Sequence, residues 1–157
     1  MAKKTSLKKA EEVSKNLQIR NIHLAASNCR RDLSFKPKQA NVDINIEVKS
    51  LNSTNKKLLP FVCRFLLTGV DIEENKESFK LDITFVAAYN IKPGYKPSKT
   101  EKEAFGITNA VFNVWPYLRE HVQNMMIKMD LTAFVLPPMT IGDLSKMKKQ
   151  PDKTIQT

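Results

Sequence analysis

Glycine, histidine and cysteine are all scarce in this chain, and each scarcity removes a class of chemistry. Four glycines occur in 157 residues, and none stands in a G-x-G-x-x-G or phosphate-cradling pattern, which argues against a nucleotide cofactor. His23 and His121 are isolated, and Cys29 and Cys63 have no C-x-x-C partner. A zinc site needs four such ligands at compact spacing, or three with an open position. Two cysteines make no disulfide framework, and nothing points to secretion. No G-x-S-x-G anchors a nucleophile. Apolar runs of about 20 residues, as a membrane helix requires, are missing. The N-terminal MAKKTSLKKAEEVSKN is charged but has no apolar stretch behind it, so it does not read as a signal peptide. The expectation is a cytoplasmic protein that is no enzyme, holds no metal or cofactor and does not insert into a membrane.

What is present is ordinary globular material. At 41% hydrophobic and 27% charged residues, wholesale disorder is not expected, and the length suits one domain with a real core. The net charge of +10 is unevenly placed. Residues 1–16 and 144–157 each contribute +3, leaving +4 for everything between. The ends therefore read as mobile basic extensions, 1–16 and 145–157, flanking a domain at 17–144. Basic tails can bind nucleic acid, but solubilising ends are the commoner case, so nucleic acid is not the expected partner.

Four strands are predicted. Residues 17–24 alternate with a fault: Leu17 and Ile19 share one phase, while Ile22, Leu24 and Ala26 share the other. A bulge is the expected cause. Val42, Ile44, Ile46 and Val48 alternate with Asp43, Asn45 and Glu47, as in an antiparallel sheet with one wet face. In residues 58–70, Phe61, Cys63, Phe65 and Leu67 would share the core side, with Pro60 at the strand start. Phe79, Leu81, Ile83 and Phe85 repeat the pattern in residues 79–86. Short connections make neighbouring strands antiparallel.

Helix follows. Ser98 and Glu101 have capping-box spacing, as do Thr100 and Glu103. From about residue 100 to about residue 130 the chain should be helical. Gly106 and Pro116 argue against one straight helix. Leu118, Val122, Met125, Met126 and Met129 fall on one face, and His121 is expected on the polar side as a solvated histidine. Pro137-Pro138 stops any helix, and residues 142–147 could add a short last one. The fold class is α+β, a four-stranded antiparallel sheet followed by a long helix and a short C-terminal helix.

Three short stretches carry a resemblance. Trp115-Pro116-Tyr117-Leu118-Arg119-Glu120 resembles the aromatic-Pro-Tyr-x-Arg-Glu signature in the long helix of SecB export chaperones. Leu136-Pro137-Pro138-Met139-Thr140-Ile141 resembles that family's Leu-Ala-Pro-Val-Asn-Phe, and Asp32-Leu33-Ser34-Phe35 its Asp-Ile-Ser-Phe. All three come in the family's order. The resemblance implies a cytosolic, ATP-independent holdase that binds unfolded polypeptide in an apolar groove and assembles as a homotetramer. Service in protein export is one expectation. A SecB-like chaperone dedicated to one antitoxin of a toxin–antitoxin module is the alternative, and a nucleic-acid-binding protein using its tails is a third, of another class.

A groove for an unfolded client should be apolar and adaptable, and a client segment could lie in it as an added strand. The residues expected to touch client are Phe35, Val42, Ile44, Ile46, Leu131, Phe134, Leu136, Met139, Ile141 and Leu144. The methionine stripe at 125–129 is assigned instead to core or subunit interface. In SecB proteins an acidic sheet face docks the SecA motor, and Asp32 and Asp82 resemble positions on that face. Lys36, however, stands where the family usually has Glu, and a basic chain steers a cationic partner poorly. SecA docking is therefore in doubt.

Overall fold

A computed structural model describes residues 2–140 except 133, together with residue 143; for residues 2–7 only the backbone is described. A helix α1 (Ala2–Ser14) leads into strands β1 (Leu17–Arg31), β2 (Ala40–Ser50), β3 (Leu58–Asp71) and β4 (Glu77–Ile91). Helix α2 (Lys99–Phe105), a π-helical turn at Gly106–Ala110 and helix α3 (Val111–Lys128) complete the described elements. The architecture is α+β, as expected. Apart from residue 143, the predicted short helix over 142–147 falls outside the described residues, as does the basic end 145–157.

The strands form one sheet in the order β1-β4-β3-β2, and every pairing is antiparallel. Strands β2, β3 and β4 make a meander, and β1 lies beside β4 rather than β2. Residues 32–39 must therefore cross from one edge of the sheet to the other. Asp71, at the end of β3, holds that crossing. Its buried carboxylate accepts the N–H groups of Glu73 and Glu74 at 3.0 and 2.8 Å and of Lys38 at 3.3 Å. Ile72 N–H donates to Gln39 O. The hydrogen bond from Glu74 N–H, with those from its neighbours, keeps the Asp71 carboxyl below the usual carboxylate range.

Strands β3 and β4 bury their core faces as their alternation predicts: Phe61, Cys63, Phe65 and Leu67 on one, Phe79, Leu81, Ile83 and Phe85 on the other. Burial pushes the Cys63 thiol up to about 12. Strand β1 carries two register shifts, between Ile19 and Asn21 and between Leu24 and Ala26. The first is the expected bulge. The second was not foreseen, and it turns Ala26, which pairs with Thr84, away from the side shared by Leu24 and Phe85.

Helices cover one side of this sheet. Ser98 starts α2 through a full capping box with Glu101, so the Ser98 alternative is the one used. The π turn begins at Gly106, where a Cβ would stand 3.0 Å from the Phe61 ring and 3.1 Å from Val48. A bare backbone lets the helix approach β2 and β3 this closely. The interruption of the long helix thus sits at Gly106, while Pro116 is carried inside α3 with its ring exposed. Val111, Val114, Trp115, Leu118, Val122 and Met126 form the buried face of α3.

Residues 1–16 require a correction. Ala2–Ser14 is helical, Ala10 and Val13 are buried, and Val13 belongs to the same core cluster as Leu17. The packed unit therefore reaches back past residue 17. Ala10, Val13 and Leu17 recur at helical spacing, a signal masked by the surrounding lysines.

Candidate functional site

The candidate site lies where the crossing 32–39, the start of β2 and the chain leaving α3 converge. Helix α3 ends in a Schellman motif: Leu131 N–H bonds to Met126 O, and Asp130 N–H to Ile127 O. Asp130 takes the left-handed conformation at φ 51° that this ending requires, a place where Asp is tolerated better than most side chains. The motif brings Leu131 back towards Met126, the hydrophobic contact that commonly accompanies it. Both side chains line a cleft of about 190 Å³ whose other walls include Pro37, Ala40, Val42, Phe79 and Phe134. Small-molecule pockets typically run to about 300–1,000 Å³, so this opening is of side-chain size.

Phe79 owes its position to a missing side chain. A Cβ on Gly69 would stand 2.2 Å from the Phe79 ring, so the glycine lets the ring lie across β3. A register shift in the β3–β4 pairing falls at the same place, between Gly69 and Val70.

Polar contacts pin the walls. Arg31 Nη1 donates to Met129 O at 2.5 Å, tying the end of β1 to the end of α3. Lys36 Nζ lies 3.0 Å from Asp130 Oδ2, an exposed pair that adds alignment more than stability. Further along, Trp115 Nε1 donates to Pro137 O at 2.8 Å, and Arg119 Nε to Leu136 O at 2.7 Å. The Trp-Pro-Tyr-Leu-Arg-Glu and Leu-Pro-Pro stretches are therefore bonded to each other. Prolines supply no N–H, and their segment is held by side chains on α3 bonding to its carbonyls.

The expected client-contact residues separate into groups. Val42, Leu131 and Phe134 come together in the cleft. Ile44 and Ile46 continue from Val42 along the same side of β2, each half-buried, and Phe35 and Met139 are half-buried as well. Leu136 is fully buried at 0% exposure, so it is core and cannot present a surface. Ile141 and Leu144 lie outside the described residues. Phe79 and Met126 line the cleft without having been expected there. The signals were the Gly69–Phe79 pairing and the helix-ending contact of Met126 with Leu131, and both require knowing which strands and turns meet.

Asp32 and Asp82 are both engaged locally. Asp82 receives two bonds from Arg64, at 2.9 and 2.7 Å, and that guanidinium lowers its pKa. Asp32 accepts Ser34 N–H at 2.7 Å, and the bonding to Ser34 lowers its pKa. His121 is not on the solvated side of α3. Its Nε2 is 2.8 Å from Ser27 Oγ and its ring meets Phe85 edge-on at 6.2 Å. Burial lowers its pKa. The cause is rotation: α3 lies over β4 with Asn113 bonded to Tyr89 and His121 to Ser27, so this side of the helix faces β1 and β4. Among the described residues, no group of three or more His, Cys, Asp or Glu is placed to hold a metal ion, and no helix is long and apolar enough to cross a membrane.

No protein-family model matches the chain, and no curated protein matches it. Solved structures do. The Mycobacterium tuberculosis Rv1957 SecB-like chaperone, in complex with a ChAD peptide from the Rv1956 HigA1 antitoxin, superposes with a TM-score of 0.75 at 19% identity, over 86% of this chain and 99% of that one. A Streptococcus agalactiae protein of unknown function gives a TM-score of 0.45 at 9% identity over 77% of this chain and 96% of its own, too distant to carry an argument. The four-stranded antiparallel sheet, the long helix laid across it and the superposition agree: the chain has the SecB-like fold.

Proposed function

We propose that this protein is an ATP-independent holdase that binds extended apolar segments of non-native polypeptide, and that the cleft between the start of β2 and Leu131, Thr132 and Phe134 is where it does so. The supporting observation is the cleft itself. It is of side-chain size, floored by the buried Phe79, Met126 and Leu131, flanked by the half-buried Val42 and Phe134, and set beside an edge strand. Among the described residues β2 has a neighbour on one side only, so its other edge offers backbone groups to an extended chain. Half-buried Ile44 and Ile46 continue the apolar track beyond the cleft.

An antitoxin segment is the favoured client over an exported preprotein. The Rv1957 structure holds an antitoxin peptide, and Asp82 is already committed to Arg64, which weakens the acidic docking surface that SecA would use. Self-association is part of the same reading, with the homotetramer as the assembly. Ile19 and Leu24 on β1 remain 46% and 43% exposed on the helix side of the sheet, and Tyr117 on α3 is 50% exposed. Apolar side chains gathered at one edge suit a contact with a second copy.

The test is suppression of aggregation of a chemically unfolded protein, without nucleotide, by wild type and by a Val42→Asp, Phe134→Asp double variant. Wild type should keep the client soluble near stoichiometric ratio, and the folded double variant should not. Equal protection by both would overturn the site, and no protection by either would overturn the function.

A further inference from the structure

One end of the molecule gathers lysines from three separate parts of the chain. Helix α1 and its exit present Lys8, Lys9 and Lys15, all exposed. Lys92 N–H donates to Asn16 O, which sets the loop leaving β4 beside the end of α1. That loop and the start of α2 carry Lys92, Lys96 and Lys99, also exposed. Ile91 N–H donates to Lys57 O, and this brings in the β2–β3 turn with exposed Lys56 and Lys57. Four carboxylates share this end: Glu101 closes the α2 cap and accepts from Tyr95, Glu103 pairs with Lys99 at 4.0 Å, and Glu11 and Glu12 are exposed on α1, so the eight lysines leave a net charge of +4.

We propose that this lysine-bearing end binds the phosphodiester backbone of nucleic acid, independently of the client cleft. The chemistry of the surface selects the partner. Lysine binds phosphate as a mobile point charge, whereas interfaces with folded proteins are depleted in it and enriched in aromatics. The exposed basic residues of α1, the 92–99 stretch and the β2–β3 turn are all lysines, and Tyr95 is half-buried and bonded to Glu101. A membrane-lying helix needs an apolar side to insert. On α1 the apolar Ala10 and Val13 are already buried in the protein. With no stacking ring and no bidentate donor, the surface should read charge and not sequence. The 13 residues of α1 span about 20 Å, a length over which duplex DNA carries roughly a dozen charges.

The test is fluorescence anisotropy of the full-length protein with labelled RNA and DNA duplexes and single strands at low and moderate salt. Phosphatidylserine vesicles form a separate arm. A Lys8→Gln, Lys9→Gln, Lys92→Gln, Lys96→Gln variant should bind nucleic acid at least about tenfold more weakly, with a shallower salt dependence. A charge-matched control at the other end, Lys36→Gln, Lys38→Gln, Lys76→Gln, Lys128→Gln, should lose less than about threefold. Equal losses in both variants, no loss in either, no binding by wild type, or binding to vesicles alone would overturn the proposal.

Discussion

Strands β2 and β3 lie side by side and carry the same alternating pattern, yet they meet different fates. On β3, Phe65, Leu67 and Cys63 are 0% exposed; on β2, Ile44, Ile46 and Val48 stay half-buried. Pairing joins Ile44 to Leu67 and Ile46 to Phe65, so the two sets look out on the same side of the sheet. What differs is cover. Trp115 of α3 reaches Phe65, with ring centroids 6.2 Å apart, while β2 lies at the margin of the sheet. An apolar row at the margin of its cover is available for other work.

The comparison is most severely tested by truncation. Phe65→Ala should lower unfolding free energy by about 3–5 kcal/mol, because the cavity forms in closed core. Ile44→Ala should cost only roughly 1–2 kcal/mol, in keeping with partial burial; urea denaturation measures both. A similar loss at the two sites would erase the distinction between core and margin.

The same contrast recurs within the proline segment. Leu136→Ala should destabilise by about 2–5 kcal/mol, as a fully buried residue does. Phe134→Ala should cost less, roughly 1–2 kcal/mol in keeping with its partial burial, and weaken binding of an apolar peptide about tenfold, or ~1.4 kcal/mol. Calorimetry and peptide titration on the two variants separate support from surface.

Arg119→Ala tests how the segment is held. It removes the donor to Leu136 O and should cost about 1–3 kcal/mol. It should also raise hydrogen exchange at the amides of residues 134–136, 139 and 140 while leaving β3 protected.

The smallest effect concerns His121. Its folded pKa lies below the unfolded value of about 6.5, so the unfolded chain binds the extra proton more readily. This contribution to stability is complete above the unfolded value and declines as pH falls through the lower folded one. Melting followed from pH 7.5 to 5.5 should show a shallow decline that His121→Gln flattens. An unchanged slope would show that His121 does not cause it.

Much of this was legible locally. Period-two alternation identified the core sides of β3 and β4, because a strand that packs on one side only must separate its apolar and polar residues. The Ser98 cap was legible because its partner lies three residues away. The slip between Ile19 and Ile22 revealed one bulge, while the second, near Ala25, leaves no comparable mark among small and polar residues. Leu136 was misjudged because nothing local tells a leucine under Arg119 and Trp115 from one facing solvent. Helix α1 was read as an extension because two inward residues among lysines make a weak signal. His121 was misplaced because the rotation of α3 depends on which strands lie beneath it.

By itself the sequence determined four strands, one long interrupted helix and the apolar residues available to cover them, since backbone preference and side-chain period act within a few residues. Only the tertiary structure decided which apolar residues stay open. That depends on the order β1-β4-β3-β2, on the crossing held by Asp71 and on how far α3 reaches, each set by contacts between segments distant in the chain.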